Sequence, residues 1–327
     1  MAEDLRRIDP SDPAIAPPQT AHDDPRVGHL LGRSERPLVV LIGFPSDEGV
    51  RRNGGRPGAA EGPRELRRCL YRMTPDAERP GRDAERPGES VRLFERTRDL
   101  GDVVVTGDLE QDQERLGRVV AAELALGRVP VILGGGHEVA YGHFLGHTGT
   151  GRSAGSLEVI NWDAHPDVRE LPGGMATSGS PFRQAVEHPD RACRRYRVYG
   201  LQRHAVAAAH VRWIEERGGT AVFSDRVDRD AVAGAFRQCE GDTLVSFDLD
   251  AVDAAFAPGV SAPATCGLEP RLWLEAAEAA GKCDLVRSID IAELNPRHDL
   301  DSRTARLAAL TIWRFLRGFA RRPQAPD

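Results

Sequence analysis

LEVINWDAHPDVRE, residues 157–170, begins as a buried strand and ends as a cluster of charge. Leu157, Val159 and Ile160 are apolar, as befits a strand enclosed on both faces. Asp163, His165 and Asp167 then follow at every second position. On an extended backbone alternate side chains point the same way, so two carboxylates and an imidazole would crowd one face. Such a group is costly to bury unless a cation or hydrogen-bond donors meet it. The stretch is therefore either a solvated loop or one wall of a metal site, and the rest of the chain decides between them.

Short β-branched runs like the one at 157–163 recur at 38–43, 102–105, 129–133, 196–200, 220–223, 243–249 and 285–291. Leu, Ala, Val and Trp repeat at threes and fours over 62–73, 112–127, 204–217, 229–238, 270–281 and 302–321, the spacing of helices with one buried face. Apolar strands interleaved with helices predict an α/β fold, a three-layer αβα arrangement around a central parallel sheet of about eight strands. One domain is expected over 37–321. Residues 1–36, rich in Pro, Asp and Arg and without periodicity, read as a flexible amino-terminal arm, and 322–327 as a tail. Within the domain, DAERPGR at 76–82 is written again as DAERPGE at 83–89, so 74–90 reads as a polar surface loop.

The bulk properties narrow the partners. The chain has 327 residues and a net charge of −6 with interspersed signs. No basic block or aromatic-interleaved patch suggests a nucleic acid, which leaves a small molecule as the expected ligand. There is no apolar run of about 18 residues and no charged-then-apolar amino terminus, so no membrane span and a cytoplasmic location are expected. Five scattered cysteines without a C-x-x-C pair read as reduced thiols.

In open α/β sheets ligands gather at the carboxyl ends of strands. Four polar motifs sit there. GGGHE (134–138) places His137 after a strand and three glycines, DAHPD (163–167) supplies Asp163, His165 and Asp167, SFDLD (246–250) supplies Asp248 and Asp250, and AELNP (292–296) supplies Glu293. Singly, each has an ordinary reading as a turn, a cap or a solvated loop. Together, two imidazoles and four Asp carboxylates give donors enough for two divalent cations if some carboxylates bridge. The set is oxygen-rich and free of thiolate, which suits Mn²⁺ better than a structural zinc. Two such cations lower the pKa of a shared water toward neutrality, so hydrolysis is the chemistry to expect. GxxxxGK[ST] and G-x-G-x-x-G are missing, and GRSAG at 151–155 is no nucleophile elbow, because it precedes the strand at 157–163 instead of joining a strand to a helix.

The four motifs in this order resemble those of the ureohydrolases, the superfamily of arginase, agmatinase and formimidoylglutamase, over about 38–320. The resemblance implies an arginase-like fold and two Mn²⁺ per subunit. It implies His137, Asp163, Asp167 and Asp248 as ligands of one ion and Asp163, His165, Asp248 and Asp250 as ligands of the other, with Asp163 and Asp248 bridging. Glu293 matches the acid that meets the substrate's cationic amidine or guanidine. It further implies a homo-oligomer, a trimer or hexamer.

Within that superfamily, DEGVRRNGGRPGAAEGPRELR (47–67), TSGSPFRQ (177–184), APGVSAP (257–263) and ELNPRHDLDSRTARLAA (293–309) look most like formimidoylglutamase, which splits N-formimidoyl-L-glutamate to glutamate and formamide in histidine degradation. There a metal-bridging hydroxide attacks the formimidoyl carbon. Where arginases carry a small amide two residues after the last Asp, this chain has Arg169, and near 200 it has Gln202, Arg203 and His204 in place of an acidic stretch. A cation suits an anionic amidine substrate with two carboxylates. Arg169, Ser178 and Asn53 are expected to contact it, with Arg52 a candidate at the pocket mouth.

Where arginases place a proton-shuttling histidine after T-S-G, this chain has Phe182, so Asp167 is expected to accept the proton of the nucleophile and pass it to the leaving amine. Trp162, Trp213 and Cys266 read as packing residues and His143 and His147 as core or surface. The alternatives are a ureohydrolase acting on a guanidino acid and releasing urea, a noncatalytic metal-binding protein of the same fold, and a single-zinc deacylase on a related scaffold.

Overall fold

The computed structural model describes residues 3–9, 11–21, 23–75, 89–148 and 155–322. Nine strands lie among them: β1 (Leu5–Arg6), β2 (Val39–Gly43), β3 (Thr97–Val103), β4 (Val129–Leu133), β5 (Leu157–Trp162), β6 (Cys193–Leu201), β7 (Thr220–Phe223), β8 (Asp242–Asp248) and β9 (Val286–Ala292). They form one sheet in the order β1-β3-β2-β4-β9-β8-β5-β6-β7. Every neighbouring pair is parallel except β1–β3.

The sheet is parallel because helical crossovers connect its strands, and its faces are apolar because those helices cover both sides. Successive residues of one strand serve opposite layers, as the pleat requires. Leu41 joins the core beneath the helices Gly62–Tyr71, Pro270–Lys282 and Arg303–Phe319, whereas Val40 and Ile42 join that beneath Leu109–Ala125. A third cluster gathers Val159, Val198 and Leu244 with Phe144, Phe182 and Ile214. Trp162 is a packing residue, stacked between Tyr199, Phe236 and Phe247.

Topology positions the motifs. β4, β5, β8 and β9, far apart in sequence, are the adjacent central strands β4-β9-β8-β5. After β4 the chain skips two places before laying down β5, which opens the kind of crevice where ligands bind in such sheets. All four motifs therefore emerge side by side at one edge.

The sequence places the second strand at 102–105, but β3 spans Thr97–Val103. It is hard to read because it carries Asp99 and Asp102. Both pair with Arg67, a fully buried guanidinium whose Nε lies 2.7 Å from Asp99 and Nη1 2.6 Å from Asp102. The ninth strand, β1, comes from the amino-terminal segment expected to be a loose arm. Its described residues pack on the domain: Leu5 pairs with Val103, and Ile15, Val27 and Leu30 are buried. These apolar residues are too widely spaced to give a periodic signal. Cys266, expected to be buried, is exposed in a turn at φ 59°. Residues 76–88 of the written-twice segment lie outside the described residues. Among the described residues, no helix is long and apolar enough to cross a membrane.

Candidate metal centre

The turn after β4 is built on close approach of backbones. A methyl at Gly135 would collide with the Ser46 carbonyl oxygen, and one at Gly134 would stand 2.7 Å from the Ile291 carbonyl. Glycine there lets the chain drop into the crevice, where Gly136 N–H donates to Ser46 and Glu293 N–H to Gly135. His137 follows, ahead of the helix Val139–Thr148.

DAHPD does not present its side chains by staying extended. β5 ends at Trp162, and a turn follows in which Asp163 Oδ1 accepts from His165 N–H at 2.6 Å. Asp167 adopts φ 44°, a left-handed conformation that is strained for a residue other than glycine. Asp248 ends β8 in the same manner, its Oδ1 accepting from Asp250 N–H at 2.8 Å. Glu293 stands at φ 68°. Strain at two of these positions marks a loop held in place by what surrounds it.

These turns bring two donor groups together. The first is His137, Asp163, Asp167 and Asp248, and the second Asp163, His165 and Asp250, with the ligand atoms of each group within 4.8 Å of one another. Asp163 belongs to both. Asp248, the other expected bridge, lies in the first group only. His137 Nδ1 stands 3.2 Å from Asp163 Oδ2, 2.9 Å from Asp167 Oδ2 and 2.8 Å from Asp248 Oδ2. Yet that nitrogen, fully buried, makes no hydrogen bond. A nitrogen and three carboxylate oxygens converging without hydrogen-bond geometry fit a bound cation, and the set of oxygens with one imidazole suits a hard or borderline dication. In the second group His165 Nδ1 lies 3.0 Å from Asp250.

The electrostatics agree. Burial lowers the His137 pKa, but Asp248, Asp163 and Asp167 override it and hold the imidazole well above its usual range. Asp250 pushes His165 up to about 12. Burial, then Asp248, raises Asp250 and Glu293 well above the ordinary carboxylate range. Carboxylates this crowded need positive charge, and the imidazoles supply it only as imidazolium. A cation at Nδ1 displaces that proton, so saturating the centre with Mn²⁺ is expected to release at least two protons per chain at neutral pH, one for each imidazolium. Apparent affinity should accordingly climb between pH 6 and 9. Calorimetry in buffers of different ionisation enthalpy checks this, and binding with no proton release would contradict it.

The expected substrate contacts form a connected arc. Arg169 Nη1 donates to Asn53 Oδ1 at 3.0 Å, and Asn53 Nδ2 to Ser178 Oγ at 3.2 Å. A methyl at Gly179 would stand 2.9 Å from Arg169 Cδ, so glycine lets this arc close. Arg52 is turned away, bound to Glu48, Glu110 and the Ala176 carbonyl. Arg203 faces the surface, paired with Asp225. Phe182 does not stand in the crevice. It is buried, stacked on Tyr196 with centroids 4.7 Å apart and edge-on to the His137 ring at 5.3 Å. It supports the His137 ring.

Two groups escaped the sequence reading. Glu138 is fully buried, its Oε1 accepting from Gly49 N–H at 2.8 Å, and burial lifts its pKa to about 7. Ser246, inside β8, lies 2.9 Å from His137 Nε2. Alternation along β8 could have shown that Ser246 shares a face with Asp248.

Comparison with known proteins bears on this geometry. The profile of the Arginase family matches residues 38–317. Formimidoylglutamase of Aromatoleum aromaticum is 40% identical over 314 residues, 90% of this chain and 87% of the relative. That of Nocardia farcinica is 42% identical over 288 residues, 85% of each chain. A crystal structure of Trypanosoma cruzi formiminoglutamase with Mn²⁺ superposes with a TM-score of 0.81 at 31% identity, covering 92% of this chain and 100% of the other.

Proposed function

The chain belongs to the arginase family and is a hydrolase of carbon–nitrogen bonds in linear amidines, and on that premise we propose that it splits N-formimidoyl-L-glutamate into L-glutamate and formamide with two manganese ions. The observation that carries the reading is the pairing of opposite charges. Glu293 Oε2 is a buried oxygen without a hydrogen-bond partner beside the donor groups, while Oε1 is occupied by His137 N–H at 2.9 Å. Two residues from Asp167 stands the exposed Arg169 guanidinium. An amidinium that carries carboxylates matches both. The formimidoylglutamase relatives and the manganese in the Trypanosoma cruzi enzyme support the same substrate and metal.

His137, Asp163, Asp167 and Asp248 would hold one ion, and Asp163, His165, Asp248 and Asp250 the other. When bound, the ions supply the acidity that makes water a nucleophile at neutral pH and offset the charge that develops at the reacting carbon. The protein's own groups do the rest. Glu293 Oε2 accepts from the amidinium N–H groups and fixes the formimidoyl carbon in place. Arg169, Asn53 and Ser178 bind carboxylate and orient the glutamate portion. Asp167 takes a proton from the attacking water and returns it to the departing α-amine. Without metal, burial lifts its carboxyl to about 6, and bound cations would bring it back down to the carboxylate that accepts a proton.

Asp167→Asn, checked for full manganese occupancy, is expected to lose about 10²- to 10⁴-fold in kcat; a near wild-type rate at full occupancy would contradict the proton role. Arg169→Ala is expected to raise KM about tenfold or more with little change in kcat, because a rim contact holds ground and transition states alike. Substrate competition tests the assignment as a whole. N-formimidoyl-L-glutamate should be preferred to arginine, agmatine and 4-guanidinobutyrate, and preference for any of those would overturn it.

A further inference from the structure

Beneath His137 runs a chain of buried polar side chains that the reaction does not use directly. His137 Nε2 meets Ser246 Oγ at 2.9 Å, and Ser246 Oγ donates to Asp290 Oδ1 at 2.6 Å. Asp290 Oδ2 meets His143 Nδ1 at 2.6 Å, His143 Nε2 meets Ser288 Oγ at 2.5 Å, and Ser288 Oγ meets His147 Nε2 at 2.7 Å. Ser246, Asp290, His143 and Ser288 have no exposed surface, and His147 has 3%. Burying five polar groups under a sheet is costly unless each finds a partner. Here the partners are one another. His143 and His147 lie one turn apart on the helix Val139–Thr148, facing Ser288 and Asp290 at alternate positions of β9.

The donors and acceptors of this chain can be assigned from one end. A carboxylate only accepts, so Asp290 takes the Ser246 hydroxyl hydrogen on one oxygen and His143 Nδ1–H on the other. Having given its single hydrogen to Asp290, Ser246 can only accept from His137, which places a hydrogen on His137 Nε2. The lone pair of neutral His137 is thereby left on Nδ1, the atom that faces Asp163, Asp167 and Asp248. Without the serine either tautomer would be open, and the one with hydrogen on Nδ1 cannot bind a cation there.

We propose that Ser246 and Asp290 are positioning residues that fix the Nε2–H tautomer of His137, so that Nδ1 is presented to the metal of the first donor group. Ligand imidazoles are commonly oriented through their other nitrogen, and loss of such a partner typically costs about 10- to 100-fold in metal affinity. Ser288, two links further on, holds His143 and not His137, and its loss should matter far less. This inference rests on the manganese reading above.

The test is manganese titration by calorimetry and electron paramagnetic resonance on wild type, Ser246→Ala, Ser246→Thr, Asp290→Asn and Ser288→Ala. Wild type should bind two ions and give the spectrum of a coupled pair. Ser246→Ala and Asp290→Asn should bind one ion about 10- to 100-fold more weakly and show an isolated ion where wild type shows the pair. Ser246→Thr, which keeps the hydroxyl, should restore the pair, and Ser288→Ala should resemble wild type. Wild-type affinity at both sites in Ser246→Ala would overturn the inference. So would a loss in Ser246→Thr equal to that in Ser246→Ala, because the hydroxyl would then not be what matters. If wild type itself fails to bind two ions, the manganese reading falls instead.

Discussion

Asp163→Asn is expected to abolish turnover, lowering it by about four orders of magnitude or more, since the enzyme keeps only what binding and residual electrostatics provide. Asp163 is the one residue common to both donor groups, and it is fully buried. Its two oxygens also do structural service: Oδ1 accepts from His165 N–H at 2.6 Å and Oδ2 from Asn161 Nδ2 at 2.9 Å. An amide offers one acceptor and one donor, so one of those two neighbours would meet an N–H group, at a cost of about 1–3 kcal/mol. The local turn therefore shifts as well as the charge. Binding at 100 times the dissociation constant stabilises the folded state by about 2.7 kcal/mol, and much of that manganese-dependent rise in Tm should vanish in the variant. Circular dichroism on the metal-free proteins separates this from misfolding. Two tightly bound manganese ions and wild-type turnover in Asp163→Asn would contradict the arrangement.

Glu293→Gln is the second large effect, and it should spare the metals. The shape is kept and the carbonyl oxygen can still accept from His137 N–H, as Oε1 does at 2.9 Å. The nitrogen then takes the place of Oε2 and turns N–H donors toward the N–H groups of the amidinium. Leaving a buried charged group without its partner costs about 2–5 kcal/mol, so kcat/KM should fall between about 30- and 5,000-fold. Manganese stoichiometry should stay at the wild-type value. A loss of bound metal as large as in Asp163→Asn would make Glu293 part of the metal site and not the group that meets substrate.

The readable part of this fold was the part with one strong signal. β2, β4, β5, β8 and β9 are buried on both faces, and their apolar runs stand out because helices enclose them. β3 was misplaced because its acids look like loop until Arg67 is seen to bind them, and nothing local to 97–101 says so. β1 is two residues long and exists only because β3 offers an edge. At the centre, residue types at fixed spacing on strand ends pointed to the six proposed ligands. Their manner of presentation was not legible: Asp163 and Asp167 converge through a turn and a left-handed backbone, not through the pleat of an extended strand.

Phe182 shows the limit of reasoning by alignment on a tripeptide. Its position after Thr177, Ser178 and Gly179, where arginases place a histidine, says that the imidazole is replaced but not where the ring goes, and the helix Pro181–Val186 turns it inward beneath His137. The chain from Ser246 to His147 was missed for a different reason. Serines inside strands and histidines inside a helix read as ordinary packing one at a time. Their meaning comes from β8 and β9 lying side by side, 44 residues apart between Ser246 and Asp290.

The central claim is that this centre uses manganese to cleave a formimidoyl group from glutamate, and it is tested most directly by identifying the nitrogenous product. Manganese-loaded protein is given N-formimidoyl-L-glutamate, and arginine, agmatine and 4-guanidinobutyrate in parallel, with formamide and urea both followed, before and after chelation. Formamide and glutamate in equal amounts from the first substrate, lost on chelation and restored by Mn²⁺, is the result predicted. Urea from a guanidino compound, or formamide production indifferent to chelation, would contradict the account.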